Sequence, residues 1–237
     1  MLTGKRILII GGTSGFGLEV ARQALAQQAQ VYLIGRHQTR LADALTSLAS
    51  ASVSGTVFDA QAAPALAAYL EQLGPVDHVV SFLGGAMGGG FLDSDFALIK
   101  QTVADKFLAN LQVAQLVAPY LQPKGSLTFT SGAGGTPATA AGAIIGNQAI
   151  NTMVQGLAVE MAPTVRVNAV APTWTPTGLW RTLTTEQRQA QTEATAASLP
   201  LKRVARPEEV AAAYLYLMQS DFTTGQVLTV AGGADLI

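Results

Sequence analysis

Apolar and polar positions along this chain fall into blocks. Residues 6–10 carry the run Ile7-Leu8-Ile9-Ile10, which stops at Gly11-Gly12. A short, continuous apolar run rich in β-branched side chains reads as a strand covered on both faces, as in a parallel sheet. Leu18, Ala21 and Leu25 then recur at helical spacing and predict a helix over 17–28. Val31-Tyr32-Leu33-Ile34 reads as a second strand. The same rhythm predicts helices over 39–48, 62–73, 95–121 and 142–161, and strands over 54–58, 76–82, 126–130, 165–170 and 226–230.

Strands that alternate with helices build a parallel sheet with helices on both faces. No Pro/Ser-rich linker, charge run or internal repeat divides the chain. The expected fold is therefore α/β: a single Rossmann-type, doubly wound domain spanning 1–237. The stretch 175–203 is polar and threonine-rich, with no apolar period. It is expected to be irregular and, from where it breaks the rhythm, to act as a substrate lid.

Composition narrows the function classes. The chain has 237 residues, 49% hydrophobic and 12% charged, enough to bury a sizeable core. A formal net charge of −1 gives no field that favours nucleic acid or an anionic membrane. The absence of cysteine excludes disulfides, thiolate metal sites and a cysteine nucleophile. His37 and His78 are the only histidines, so no metal site is expected. Residues 1–10 do not read as a signal peptide, and no apolar run is long enough to span a membrane. A cytoplasmic protein acting on a small molecule is the expectation.

The candidate chemistry begins at the loop between the first strand and first helix, Gly11-Gly12-Thr13-Ser14-Gly15-Phe16-Gly17. Phosphate groups need close backbone approach, free N–H donors and a helix N-terminus aimed at them. Gly11, Gly15 and Gly17 supply the approach, and Thr13 and Ser14 add hydroxyls. The flanking strand and helix make this a dinucleotide site rather than a flexible turn.

The spacing Gly-x-x-x-Gly-x-Gly resembles the signature of the short-chain dehydrogenase/reductase family, with Ile10 where the family has Thr. The resemblance continues along nearly the whole chain. Asp59, followed by Ala60, matches the family's adenine contact. Gly84 is what remains of an Asn-Asn-Ala-Gly turn, here Ser81-Phe82-Leu83-Gly84. Ser131 matches the catalytic Ser at a strand end. Asn168 and Pro172 match the strand before the nicotinamide, Thr177 matches a pyrophosphate contact, and Thr175 lies beside it. Arg206-Pro207-Glu208-Glu209-Val210 and Thr224-Gly225-Gln226-Val227-Leu228 match the C-terminal pattern.

In this fold the residue just past the second strand meets the adenosine ribose. An acidic side chain there selects NAD, and an Arg accommodates a 2′-phosphate. This chain has Arg36-His37 and no acid, so NADP(H) is the expected cofactor. An Arg36 that only stacks in solvent stays open as the alternative.

The resemblance breaks at the catalytic set. The family uses a Tyr proton donor, a Lys four residues later, a Ser, and an Asn on the preceding long helix. Counting back from Glu160 puts the Tyr at Ala143 and the Lys at Asn147, and the chain reads as a divergent branch lacking the Tyr-x-x-x-Lys pair. Counting back from Pro119 puts the family's Asn at Lys106, with Asn110 one turn on. Lys106 and Ser131 are the candidate catalytic residues. Other readings stay open: Lys106 as a solvated or interface residue with Asn110 at the family position, and Ser131 as a loop cap. Trp174 and Trp180 are expected to pack in the lid or line an apolar pocket. The resemblance implies an NADP(H)-dependent reductase of a carbonyl or related unsaturated compound. A non-catalytic NADP(H)-binding protein and a non-redox reaction on the same fold are the alternatives. It also implies a homo-oligomer, dimer or tetramer, paired through the two long helices, whose segments are rich in small apolar residues.

Overall fold

The computed structural model describes residues 1–236. Its strands are β1 (Arg6–Ile10), β2 (Gln30–Gly35), β3 (Val53–Val57), β4 (Val76–Ser81), β5 (Leu121–Thr130), β6 (Arg166–Pro172) and β7 (Val227–Val230). They form one seven-stranded sheet in the order β3-β2-β1-β4-β5-β6-β7, and every pairing is parallel. The helices are α1 (Gly15–Ala26), α2 (Gln38–Leu48), α3 (Ala63–Leu73), α4 (Phe96–Val103), α5 (Ala109–Val117), α6 (Ala141–Glu160), α7 (Thr185–Ser198) and α8 (Pro207–Gln219).

Side chains of the central strands alternate between two cores, which is why β1 and most of β2 read as apolar runs. Ile7 and Ile9 join Val20, Leu41, Val210 and Tyr214 from α1, α2 and α8 on one face. Leu8 and Ile10 join Leu66, Leu70, Val113, Val117 and Ile150 from α3, α5 and α6 on the other. The sheet is doubly wound, as the pattern predicts. No helix among the described residues is long and apolar enough to cross a membrane.

Three segments depart from expectation. The long helix over 95–121 is interrupted: α4 and α5 are joined by a π-turn at Ala104–Leu108, and a 3₁₀ turn at Ala118–Tyr120 ends it early. The stretch 175–203 is not irregular throughout, because α7 takes 14 of its residues. That helix buries no residue, so it has no apolar stripe to read. It is held instead by a capping box at Thr184 and Gln187 and by side-chain bonds such as Gln189 to Glu193 at 2.9 Å. Helix α8 was not predicted either. It buries Val210, Tyr214, Leu217 and Met218, at i, i+4, i+7 and i+8 on one face, so its stripe was legible in the sequence and went unread.

Candidate active site

In an open α/β sheet the ligand crevice forms beyond the carboxyl ends of the strands, where strand order reverses. Here that point lies between β1 and β4. A Cβ on Gly11 would stand 3.0 Å from Cβ of Phe82, so the loops after the two strands nearly touch. A cleft of about 1160 Å³ opens there.

The loop after β1 forms one end of it. Gly11 and Gly15 have φ of +84° and +54°, which side-chain-bearing residues rarely adopt. A Cβ on Gly17 would collide with the Gly11 carbonyl, and one on Gly35 would stand 2.5 Å from Cγ2 of Thr13. The backbone is thus packed where only glycine fits, and α1 starts at Gly15 with no acidic residue in its first turn. Ser14 caps α1 without bonding its N–H groups, which leaves its hydroxyl to the cleft. Thr13, Ser14, Phe16, Arg36 and His37 line the same cleft, as do Gly84, Pro172, Thr175 and Thr177. These residues fit a dinucleotide: a cradle too tight for side chains, free hydroxyls, and guanidinium groups beyond β2. Two expected contacts do not line the cleft. Ala60 is buried in the core against Leu8 and Leu66, and the Asp59 carboxylate turns back to accept the Gln61 N–H at 3.0 Å.

The other end of the cleft holds the candidate chemistry. Lys106 lies in the π-turn, a distortion that often marks function. It is 7% exposed, and its stem crosses α6 at Gly146, where a Cβ would stand 2.7 Å from Lys106 Cδ. Lys106 Nζ donates to Asn147 Oδ1 at 2.8 Å. Burial lowers its pKa from 10.5 to about 8, and no carboxylate among the described residues offsets that. Asn147 is the hub: its side-chain N–H donates to the Gly132 carbonyl at 3.3 Å, and its own carbonyl accepts from Ser131 Oγ at 3.3 Å. Ser131 Oγ also donates to Asn151 Oδ1 at 2.7 Å. Asn110 is fully buried, outside the cleft wall; it accepts from Ser81 Oγ at 2.6 Å and donates to the Lys106 carbonyl at 2.6 Å. The structure therefore puts Lys106 in the cleft and Asn110 behind it as a support, not the reverse. Trp174 and Trp180 stack with centroids 4.1 Å apart and line the cleft under α7.

A family profile described as "Enoyl-(Acyl carrier protein) reductase" matches residues 11–235. The chain belongs to the short-chain dehydrogenase/reductase family. It is 32% identical to the short-chain dehydrogenase/reductase fsr5 of Gibberella fujikuroi, over 98% of this chain and 95% of that one. Among solved structures it resembles the MalC reductase/Diels-Alderase of Malbranchea aurantiaca: TM-score 0.86, 31% identity, covering 100% of this chain and 97% of that one. It also resembles a small-chain dehydrogenase in complex with NADPH, with TM-score 0.84 and 30% identity over 99% and 100% of the two chains.

As a short-chain dehydrogenase/reductase, an oxidoreductase by family, the chain is notable for what α6 carries. Ala143 and Asn147, the positions where the family resemblance leads one to expect the Tyr and the Lys, both line the cleft. The chain does contain one Tyr-x-x-x-Lys string, Tyr120 to Lys124, which corrects the reading that the spacing is missing altogether. That string sits in the turn into the start of β5, away from the cleft wall, with Lys124 in left-handed backbone. It cannot stand in for the pair. Sequence reasoning missed Arg40, Arg181 and Asn151. Asn151 was legible as the residue one turn after Asn147; the two arginines had no signal apart from their charge.

Proposed function

We propose that this chain is an NADP(H)-dependent oxidoreductase that reduces a carbonyl or related unsaturated small molecule by hydride transfer. One observation carries the reading: a buried ammonium, Lys106, with no carboxylate partner among the described residues, opens into the same cleft as the phosphate loop and is fixed there by Asn147. The NADPH-bound structural relative and the arginines beyond β2 support the cofactor.

Bound NADPH would supply the hydride, and the chain's own groups do the rest. Lys106 stabilises the oxyanion that develops as the carbonyl carbon is attacked, then gives it a proton and completes the alcohol. Water returns the proton to the neutral amine, which a pKa of about 8 favours near neutral pH. Asn147 holds Nζ, and Asn110 braces the π-turn from behind. The Ser131 hydroxyl swings from Asn151 towards the substrate oxygen, with the Asn151 amide then free to donate to it.

A second reading keeps the cleft but changes the chemistry to a non-redox reaction. MalC, which carries both reductase and Diels-Alderase in its name, favours it. Loss of reduced-cofactor absorbance across a carbonyl panel separates the two. NADPH should bind tighter than NADH, and Arg36→Asp should weaken NADPH about 10–100-fold. Equal affinity of the native chain for both cofactors, by fluorescence titration, would remove the NADP(H) assignment.

A further inference from the structure

Arg36 ends the turn after β2, Arg40 lies in the first turn of α2, and Arg181 follows the 3₁₀ turn that leads into α7. All three line one cleft, although Arg181 comes from more than 140 residues further along the chain. The Arg181 guanidinium folds back over Gly178, where a Cβ would stand 2.8 Å from Nη2, and Nη2 lies 3.5 Å from Ser14 Oγ on the phosphate loop. Burial, and then the charges of Arg40 and Arg36, pull its pKa below the usual guanidinium value, so the three groups share one field. None of them pairs with a carboxylate among the described residues. Three converging cations without a counter-ion repel one another until an anion joins them. A phosphate monoester, with nearly two negative charges at neutral pH, is the anion that suits several guanidiniums at once.

We propose that Arg181 is a third guanidinium for the cofactor's 2′-phosphate, so that this phosphate draws the 175–203 segment onto the cleft before any substrate arrives. The proposal rests on the NADP(H) reading. It makes Arg181 a specificity residue that acts only once the segment is down, because its neighbours on the chain belong to that segment. Trp180 immediately precedes it, stacks on Trp174, and bonds the Thr175 carbonyl at 3.1 Å. Trp174 in turn donates to Thr192 on α7 at 3.1 Å. These are the only tryptophans of the chain, so selectively excited tryptophan emission reports on the start of this segment.

The test uses 2′,5′-ADP, which carries the 2′-phosphate without nicotinamide, against 5′-AMP, which lacks it. On the native chain 2′,5′-ADP should bind tighter and change the tryptophan emission, while 5′-AMP should leave the emission unchanged at saturation. Arg181→Met should weaken 2′,5′-ADP about tenfold, abolish the emission change and leave 5′-AMP as it was. The proposal is overturned if Arg181→Met binds 2′,5′-ADP like the native chain. It is also overturned if both nucleotides weaken equally, which would put Arg181 on the shared 5′-phosphate. The NADP(H) reading fails differently: the native chain would then not prefer 2′,5′-ADP, and Arg36→Ala would change nothing.

Discussion

Lys106→Met should stabilise the apo chain, or leave it unchanged, while removing its activity. Burial moves the Lys106 pKa from 10.5 to about 8, so the folded state holds that proton less tightly than the unfolded chain does. Below pH 8 the penalty is fully present, and at pH 7 the shift corresponds to roughly 3 kcal/mol against folding. Met has a similar reach and no charge, so it removes the penalty. It also leaves the buried Asn147 Oδ1 without its donor, which costs about 1–3 kcal/mol. The net expectation at pH 7 is a variant between equal to the native chain and about 2 kcal/mol more stable. The sign with pH follows from the depressed pKa: the native chain regains stability as pH rises between 8 and 10.5. The difference between variant and native should therefore move against the variant by roughly 2 kcal/mol between pH 7 and pH 9.5. Urea unfolding of both chains at the two pH values measures it, and groups common to both cancel in the difference. Turnover, read as loss of reduced cofactor, should fall by at least about 10². A variant less stable than native by more than about 1 kcal/mol at pH 7 would refute the burial argument. Turnover kept at the native rate would refute the catalytic role.

Three further outcomes follow from the same geometry. The rate of reduction should decline as pH rises through about 8, because the donor is the ammonium form, and Lys106→Arg should move that decline upward; a pH–rate profile flat from 6 to 9.5 would take Lys106 out of proton transfer. Gly146→Ala puts a methyl against Lys106 Cδ and Cβ and should cut kcat about 10²-fold while the thermal midpoint stays within a few degrees, so a normal kcat would show that the lysine stem is not held at that crossing. Phe96 and Val159 are 79% and 78% exposed on α4 and α6, where Leu98 and Ile145 are exposed as well; light scattering at micromolar concentration should give a dimer or tetramer, and a monomer would refute pairing through these helices.

The middle of the sheet was legible in the sequence because its central strands are buried on both faces, as Ile7, Leu8, Ile9 and Ile10 show by dividing between two cores. The phosphate loop was legible because a collision between backbone atoms, such as Cβ at position 17 with the Gly11 carbonyl, can be avoided only by glycine. The vacancy at Ala143 and Asn147 and the candidate at Lys106 came from the family resemblance, by counting back from Glu160 and Pro119; helix periodicity added only that Asn110 shares a face with Lys106. Helix α7 left no trace, because a helix with no buried side chain has no apolar period. The π-turn that carries Lys106 depends on how α4 and the turn itself pack against α6, and on the Asn110 bond to the Lys106 carbonyl. Only the tertiary structure exchanged the lysine and asparagine between facing helices into one hydrogen-bonded pair. It alone brought Arg181 to Arg36, Arg40 and Ser14. Local sequence determines which element forms and which face it buries; contacts between residues far apart in the chain are set by how those faces pack, and the active site is made of such contacts.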